Sequence, residues 1–230
     1  MIQANNGHKY VNVNLMTMPG IQRAARLKVS MSGLAEIMIT PHLHTVLSTL
    51  FSDTHHGRMI AIIRHPVERA IAIYQMKTLD PNHPEYHPEV AQMTLIEYAQ
   101  SNWMDSNLMT RFLTEEGVGS QDLLSPAHER AAKRVLSTKC LVGLYDEMEK
   151  TVERVAQYLR PEKIELVNHE VQCIKNVLAR EKSLRDDIPV FLEGDPEWEA
   201  IVERNHFDLK LYNYARTLWE EQADIFLEAL

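Results

Sequence analysis

The sequence predicts an α/β fold in which a parallel sheet is flanked by helices and the second half of the chain is mainly helical. Three observations predict it. Met59–Ile63 is an unbroken apolar run that stops at Arg64, the pattern of a strand buried on both faces of a parallel sheet. Strand-like and helix-like segments alternate before Thr94, and helical patterns dominate after it. The 230 residues show no internal repeat, so a single domain over residues 1–230 accounts for them.

Residues 10–15 alternate polar and apolar with period two and read as a strand. Residues 21–29, after Gly20, read as a short basic helix carrying Arg23, Arg26 and Lys28. Residues 34–40 read as a second strand and residues 41–51 as a turn and helix. After Met59–Ile63, Pro66 is placed as the first residue of a helix, where its missing N–H does no harm. That helix carries Val67, Ala70, Ile71, Ile73 and Tyr74 and fades near Leu79. Residues 80–92 hold three prolines and read as an exposed loop. Helical patterns follow over residues 94–103, 106–113 and 125–135. A strand at Cys140–Leu144 leads into an amphipathic helix over 146–159. A polar stretch, 175–187, separates it from closing helices over 196–204 and 208–227.

Composition narrows the function classes. Hydrophobic residues make up 45% and charged residues 24%, as in ordinary globular proteins. The net charge of -8 excludes broad nucleic-acid or anionic-membrane binding, since both need a positive surface. It leaves room for one basic pocket that takes a phosphorylated small molecule. The two cysteines, Cys140 and Cys173, are too few for a disulfide framework and read as buried free thiols. The N-terminal residues lack an apolar signal region. No apolar run approaches the ~20 residues of a membrane helix. The chain as given reads as soluble, with no membrane contact of its own.

The segment Arg64-His65-Pro66-Val67-Glu68-Arg69 carries the chemistry. Ligands of open α/β sheets bind at the carboxyl ends of strands. A helix start adds free N–H groups and a positive dipole end, and a guanidinium adds a permanent bidentate charge. The residues alone fit either a phosphate site or an ordinary turn with a surface arginine.

Arg-x-Pro-x-x-Arg at the end of an apolar strand, with Tyr74 ten residues after Arg64, resembles the 3′-phosphate motif of PAPS-dependent sulfotransferases, particularly the carbohydrate sulfotransferases. Further fragments follow in the family's order. Asn107-Leu108-Met109-Thr110-Arg111-Phe112-Leu113 resembles its Asn-x-x-Thr-Arg-x-Leu helix. Leu141-Val142-Gly143-Leu144 resembles its late strand. The stretch from Asn205 through Asp208 to Leu211-Tyr212 resembles its closing Asn-x-x-Asp-x-x-Leu-Tyr segment.

The resemblance implies a P-loop-like sheet, PAPS as co-substrate with no metal, and a hydroxyl-bearing acceptor, a carbohydrate. Arg64 would bind the 3′-phosphate, while Arg69 would brace the helix through ion pairs. The resemblance also implies the Golgi lumen for a chain preceded by an N-terminal anchor. Two departures stand out. Ala72 occupies the place of a serine that hydrogen-bonds the same phosphate, a loss of about 1.5–3 kcal/mol of binding. The family's 5′-phosphosulfate loop and its strand are missing. Met18-Pro19-Gly20-Ile21-Gln22 has neither its lysine nor its hydroxyl. A non-catalytic or truncated binding module of the same fold is the alternative.

His42-x-His44 follows the second expected strand. Histidine serves as a base near neutral pH without a large pKa shift. The segment is similar to a His-x-His of uronyl 2-O-sulfotransferases, which implies His44 as base and His42 as its neighbour. The plain alternative is a pair capping or packing on the following helix. A metal site with His55 and His56 lacks an acidic or cysteine partner at suitable spacing. His83 and His87 read as solvated loop residues. Trp103, Trp198 and Trp219 read as helix packing, and Arg180, Lys182 and Arg185 as a solvated basic loop or a cofactor contact. Glu220, Glu221 and Asp224 read as a solvated helix face.

Overall fold

A computed structural model describes residues 2–3, 9–35, 37–116, 123–159, 168–186 and 188–223. The chain divides into a smaller unit, Met1–Arg58 with Arg111–Ser120, and a larger one, Met59–Thr110 with Gln121–Leu230.

In the smaller unit, β1 (Ile2–Gln3) and β2 (Lys9–Tyr10) pair antiparallel. The strand expected over 10–15 is a strand only at Tyr10. Its alternation is real: Val11, Val13 and Leu15 turn inward while Asn12 and Asn14 face water. No ladder forms, so period two here records one-sided burial of an extended chain. The strand expected over 34–40 is likewise irregular at its described residues, and Ile37 and Ile39 point outward. Glu36 lies outside the described residues.

Helix α1 (Met18–Arg26) begins earlier than expected, because the Thr17 hydroxyl caps it by accepting from the Gly20 N–H. Gly20 is needed, since a Cβ there would sit 1.7 Å from the Asn14 carbonyl oxygen. Helix α1 buries Ile21 and Ala24 against Val46 and Leu50 of α2 (Leu43–Leu50), with Leu15 and Val29 completing the core.

In the larger unit, β3 (Met59–Ile63) and β4 (Cys140–Leu144) have the expected bounds and pair in parallel from Met59↔Cys140 to Ile63↔Leu144. Every residue of β4 is buried. Strand β3 differs from the expectation of burial on both faces, because Ile62 is 51% exposed. The helices are α3 (Pro66–Thr78), α4 (Leu95–Gln100), α5 (Leu108–Thr114, its residues to Thr110 in this unit), α6 (Pro126–Lys139), α7 (Met148–Leu159), α8 (Asn168–Asp186) and α9 (Pro196–Glu221). Helix α4 opens on a capping box between Thr94 and Glu97. The core joins Val67, Ala70 and Ile71 of α3 to Tyr98 and Ala99 of α4 and to Ala200 and Ile201 of α9.

Three further expectations change. The polar stretch 175–187 is the body of α8 up to Asp186, with Asp187 outside the described residues. The loop 80–92 closes on a 3-10 turn, Val90–Gln92, that buries Val90 completely. The two closing helices are one, α9, kinked at Asn205 (φ −120°, ψ 23°). The kink falls where the sequence pattern breaks, and residues 224–230 lie outside the described residues.

Strand β4 is clamped by side chains. A Cβ on Gly143 would meet Thr151 Cγ2 at 2.5 Å, so glycine lets α7 approach. The Thr151 hydroxyl then accepts from Leu144 N–H at 3.0 Å and donates to Leu144 O at 2.9 Å. Further along the same edge, the one away from β3, the Gln222 amide accepts from Val142 N–H and donates to Cys140 O, both at 2.9 Å.

A buried polar network ties α5 to the kink in α9. Asp208 accepts from Met109 N–H at 2.9 Å and from the N–H and hydroxyl of Thr110 at 2.8 Å each. It thereby satisfies the start of α5 from a distant helix. Asn107, held at φ +50°, accepts from the N–H groups of Phe207 and Asp208 and donates to Arg204 O. Its own N–H donates to Asn205 Oδ1 at 2.9 Å. Burial pushes the Asp208 carboxyl up, against its N–H donors and Arg69.

Candidate phosphate-binding site

Parallel pairing in register brings the residues after β3 and β4 side by side. Ile63 lies opposite Leu144, so Arg64 emerges beside Tyr145. The Tyr145 N–H donates to Ile63 O at 2.9 Å, which fixes the tyrosine at the carboxyl edge of the pair. The Arg64 guanidinium lies over its ring, with Cζ 4.3 Å from the centroid. The Arg64 side chain is only 18% exposed. Its Nε and Nη2 are buried and have no hydrogen-bond partner among the described residues. The Glu68 carboxylate stands 3.9 Å from Nε, an ion pair beyond hydrogen-bond reach. The guanidinium therefore keeps two buried, unfilled donors at the start of α3, beside its positive dipole end.

His65 occupies the N-cap of α3 and makes no side-chain cap bond. Its ring lies 5.1 Å from Trp198 and 4.9 Å from Tyr212, the latter edge-on. Burial holds its pKa below 6.5; Asp146 opposes this shift and Arg216 adds to it. The Tyr212 hydroxyl donates to Asp146 Oδ2 at 2.8 Å. Burial, more than that bond, pushes the phenol's pKa upward. On the far side of this edge a cavity of about 180 Å³ is lined by Tyr145, Asp146, Lys150, Leu178 and Lys182 among others. Lys182 thus faces a cavity from helix α8, while Arg180 is exposed. The Arg185 side chain lies outside the described residues.

Arg69 lies deeper, its Nη2 3.9 Å from the wholly buried Asp208. It joins α3 to the network at the α9 kink, a bracing position. The segments around Asn107 and Asn205, far apart in sequence, meet through that network. Ala72 lies partly buried in α3.

His42 and His44 belong to the smaller unit. His44 Nε2 lies 2.7 Å from Leu113 O, and His42 Nε2 lies 3.3 Å from Met16 O. A carbonyl only accepts, so Nε2 is the donor in each contact and Nδ1 is left out of it. His42 is the N-cap of α2 but makes no side-chain cap bond.

The remaining candidates settle into packing roles. His55 and His56 are exposed in a turn closed by Ser52 and His55. His87 is not a solvated loop residue: its ring packs 3.9 Å from Trp103, and its backbone N–H donates to Lys77 O. Trp103 and Trp198 pack against the core of the larger unit, and Trp219 is buried beneath the Arg154 guanidinium, 3.5 Å from its centroid. Cys140 is buried, its thiol pushed up to about 11 by burial, whereas Cys173 is exposed rather than buried. Glu220 and Glu221 are exposed; Asp224 lies outside the described residues.

The sequence reading reached Arg64 and missed Tyr145, Asp146 and Glu68 as its neighbours. The available signal was the parallel pairing itself, which places the residue after one apolar strand beside the residue after the other. Among the described residues no group of three or more His, Cys, Asp or Glu side chains could hold a metal ion. No helix among them is long and apolar enough to cross a membrane. No protein-family model, curated protein or solved structure matches the chain.

Proposed function

We propose that the chain is a PAPS-dependent sulfotransferase-type protein whose larger unit holds the nucleotide 3′-phosphate at Arg64. One observation carries this: a buried guanidinium at the end of a parallel strand, with Nε and Nη2 unfilled and a helix N-terminus beside it. A buried cation left without hydrogen bonds is unfavourable, and a phosphate dianion supplies the missing acceptors in the matching geometry. The contact between the Asn107 and Asn205 segments supports the same reading, because both belong to the set of fragments that resembles the family. A P-loop-like sheet is part of this proposal.

In the full reaction an acceptor hydroxyl, that of a carbohydrate, attacks the sulfur of PAPS. The new O–S bond forms as the bond from sulfur to the 5′-phosphate oxygen breaks. PAP leaves, and a base takes the hydroxyl proton. The base assigned is His44 through Nδ1, since Nε2 is engaged with Leu113 O; His42 is its neighbour. A second reading, a non-catalytic nucleotide-binding module, is favoured by Ala72 and by the region around Gly20. There the Gly20 N–H is taken by Thr17, and no lysine is at hand for a leaving phosphate.

Calorimetry with PAP tests the proposal. Saturable binding is expected in the wild-type chain, with loss of at least tenfold in affinity for Arg64→Ala. No saturable binding at about millimolar PAP, or an unaffected Arg64→Ala variant, would remove the assignment. Sulfuryl transfer to a sugar that fails in His44→Ala while PAP still binds would favour the enzyme over the module.

A further inference from the structure

We infer that Tyr145 and Glu68 set the anion affinity of Arg64 in opposite directions, Tyr145 as a positioning residue and Glu68 as a built-in competitor. The inference rests on the phosphate reading of Arg64 given above.

The two side chains act on the guanidinium by different chemistry. The cation lies over the Tyr145 ring, with Cζ 4.3 Å from the ring centroid. The ring attracts the cation through its quadrupole and carries no competing negative charge, so Nε and Nη2 stay without a hydrogen-bond partner among the described residues. It also holds the plane fixed, and the backbone bond from Tyr145 N–H to Ile63 O anchors the ring to the strand pair. Arg64 is thereby pre-oriented, and a ligand need not order it on binding.

Glu68 stands nearest Nε, one of the two unfilled donors. At 3.9 Å it is close enough to attract and too far to hydrogen-bond. It lies in the first turn of α3, four residues after Arg64, and its side chain is 46% exposed. An incoming phosphate seeks the donors that Glu68 faces and must overcome its repulsion. Glu68 therefore weakens anion binding and favours a doubly charged phosphate over weaker anions.

The test is PAP calorimetry on Tyr145→Leu, Tyr145→Phe and Glu68→Gln, with thermal midpoints recorded to establish that each variant folds. Tyr145→Leu should weaken binding by about 5- to 20-fold, while Tyr145→Phe, which keeps the ring, stays within about twofold of wild type. Glu68→Gln should tighten binding by about two- to fivefold. That gain should vanish in an Arg64→Gln background, where a general change in surface charge would leave it intact. Shifts in the same direction for Tyr145→Leu and Glu68→Gln, or a gain that survives Arg64→Gln, would overturn the inference while leaving Arg64 as the phosphate site. Absence of PAP binding to the wild-type chain would overturn both.

Discussion

The His65 imidazole lies against the Trp198 and Tyr212 rings, where burial disfavours its protonated form. Its folded pKa is therefore below the 6.5 of a free histidine. Between those two values the unfolded chain binds more protons than the folded one, so stability falls as pH drops. The contribution is complete above about pH 6.5 and is lost on acidification below it. Urea unfolding of wild type between about pH 7 and 5 should show this step, and His65→Phe should flatten it. An equal slope in both proteins would place the sensitivity elsewhere. At this scale the sequence was informative only where chemistry was local. Arg64 could be read from its place after an apolar run. Tyr145, Asp146 and Tyr212 could not, because they reach the site from other elements, Tyr212 from more than a hundred residues away.

At the scale of elements, the strands β3 and β4 were legible to the residue because an apolar run ends abruptly at Arg64 and at Tyr145-Asp146. Residues 11–15 and 34–40 carry a similar strand signal with no partner strand among the described residues. Alternation reports which side of a chain is buried, and only a second backbone turns that into a ladder. Helix α8 escaped notice because its described side chains are mostly polar and exposed. Helix α7 packs closely on β4 at Gly143. Gly143→Ala should lower stability by about 1–3 kcal/mol through overpacking. Thr151→Ser added to it should restore part of that loss, because serine keeps the hydroxyl bonded to Leu144 and lacks the methyl in the way. Chemical denaturation of the single and double variants measures both effects. If the second change adds to the damage, the clash is not the cause.

For the whole molecule, the apolar strand run and the order of strand-like and helix-like segments led to mixed α/β with a helix-rich second half, as the structure has it. Two units could not be foreseen, because nothing in composition marks the cuts near residues 58 and 110. If Arg64 holds the 3′-phosphate as proposed, that contact belongs to the larger unit and can be mapped. PAP at about 100 times its dissociation constant should stabilise the unit that binds it by about 2.7 kcal/mol. Hydrogen exchange should then slow in β3, the start of α3 and the end of β4, with the core of α1 and α2 unchanged. Equal protection of α1 and α2 would contradict a site confined to the larger unit.

Gln222 gives the sheet a direction. Its amide occupies the outer N–H of Val142 and the outer carbonyl of Cys140, as the backbone of another strand would. A strand from a neighbouring molecule arriving on that side finds no vacant ladder to join, so recruitment there requires displacing the tail of α9 first. Thr151 of α7 closes the rest of that edge at Leu144, so growth through β4 has to dislodge side chains from two helices.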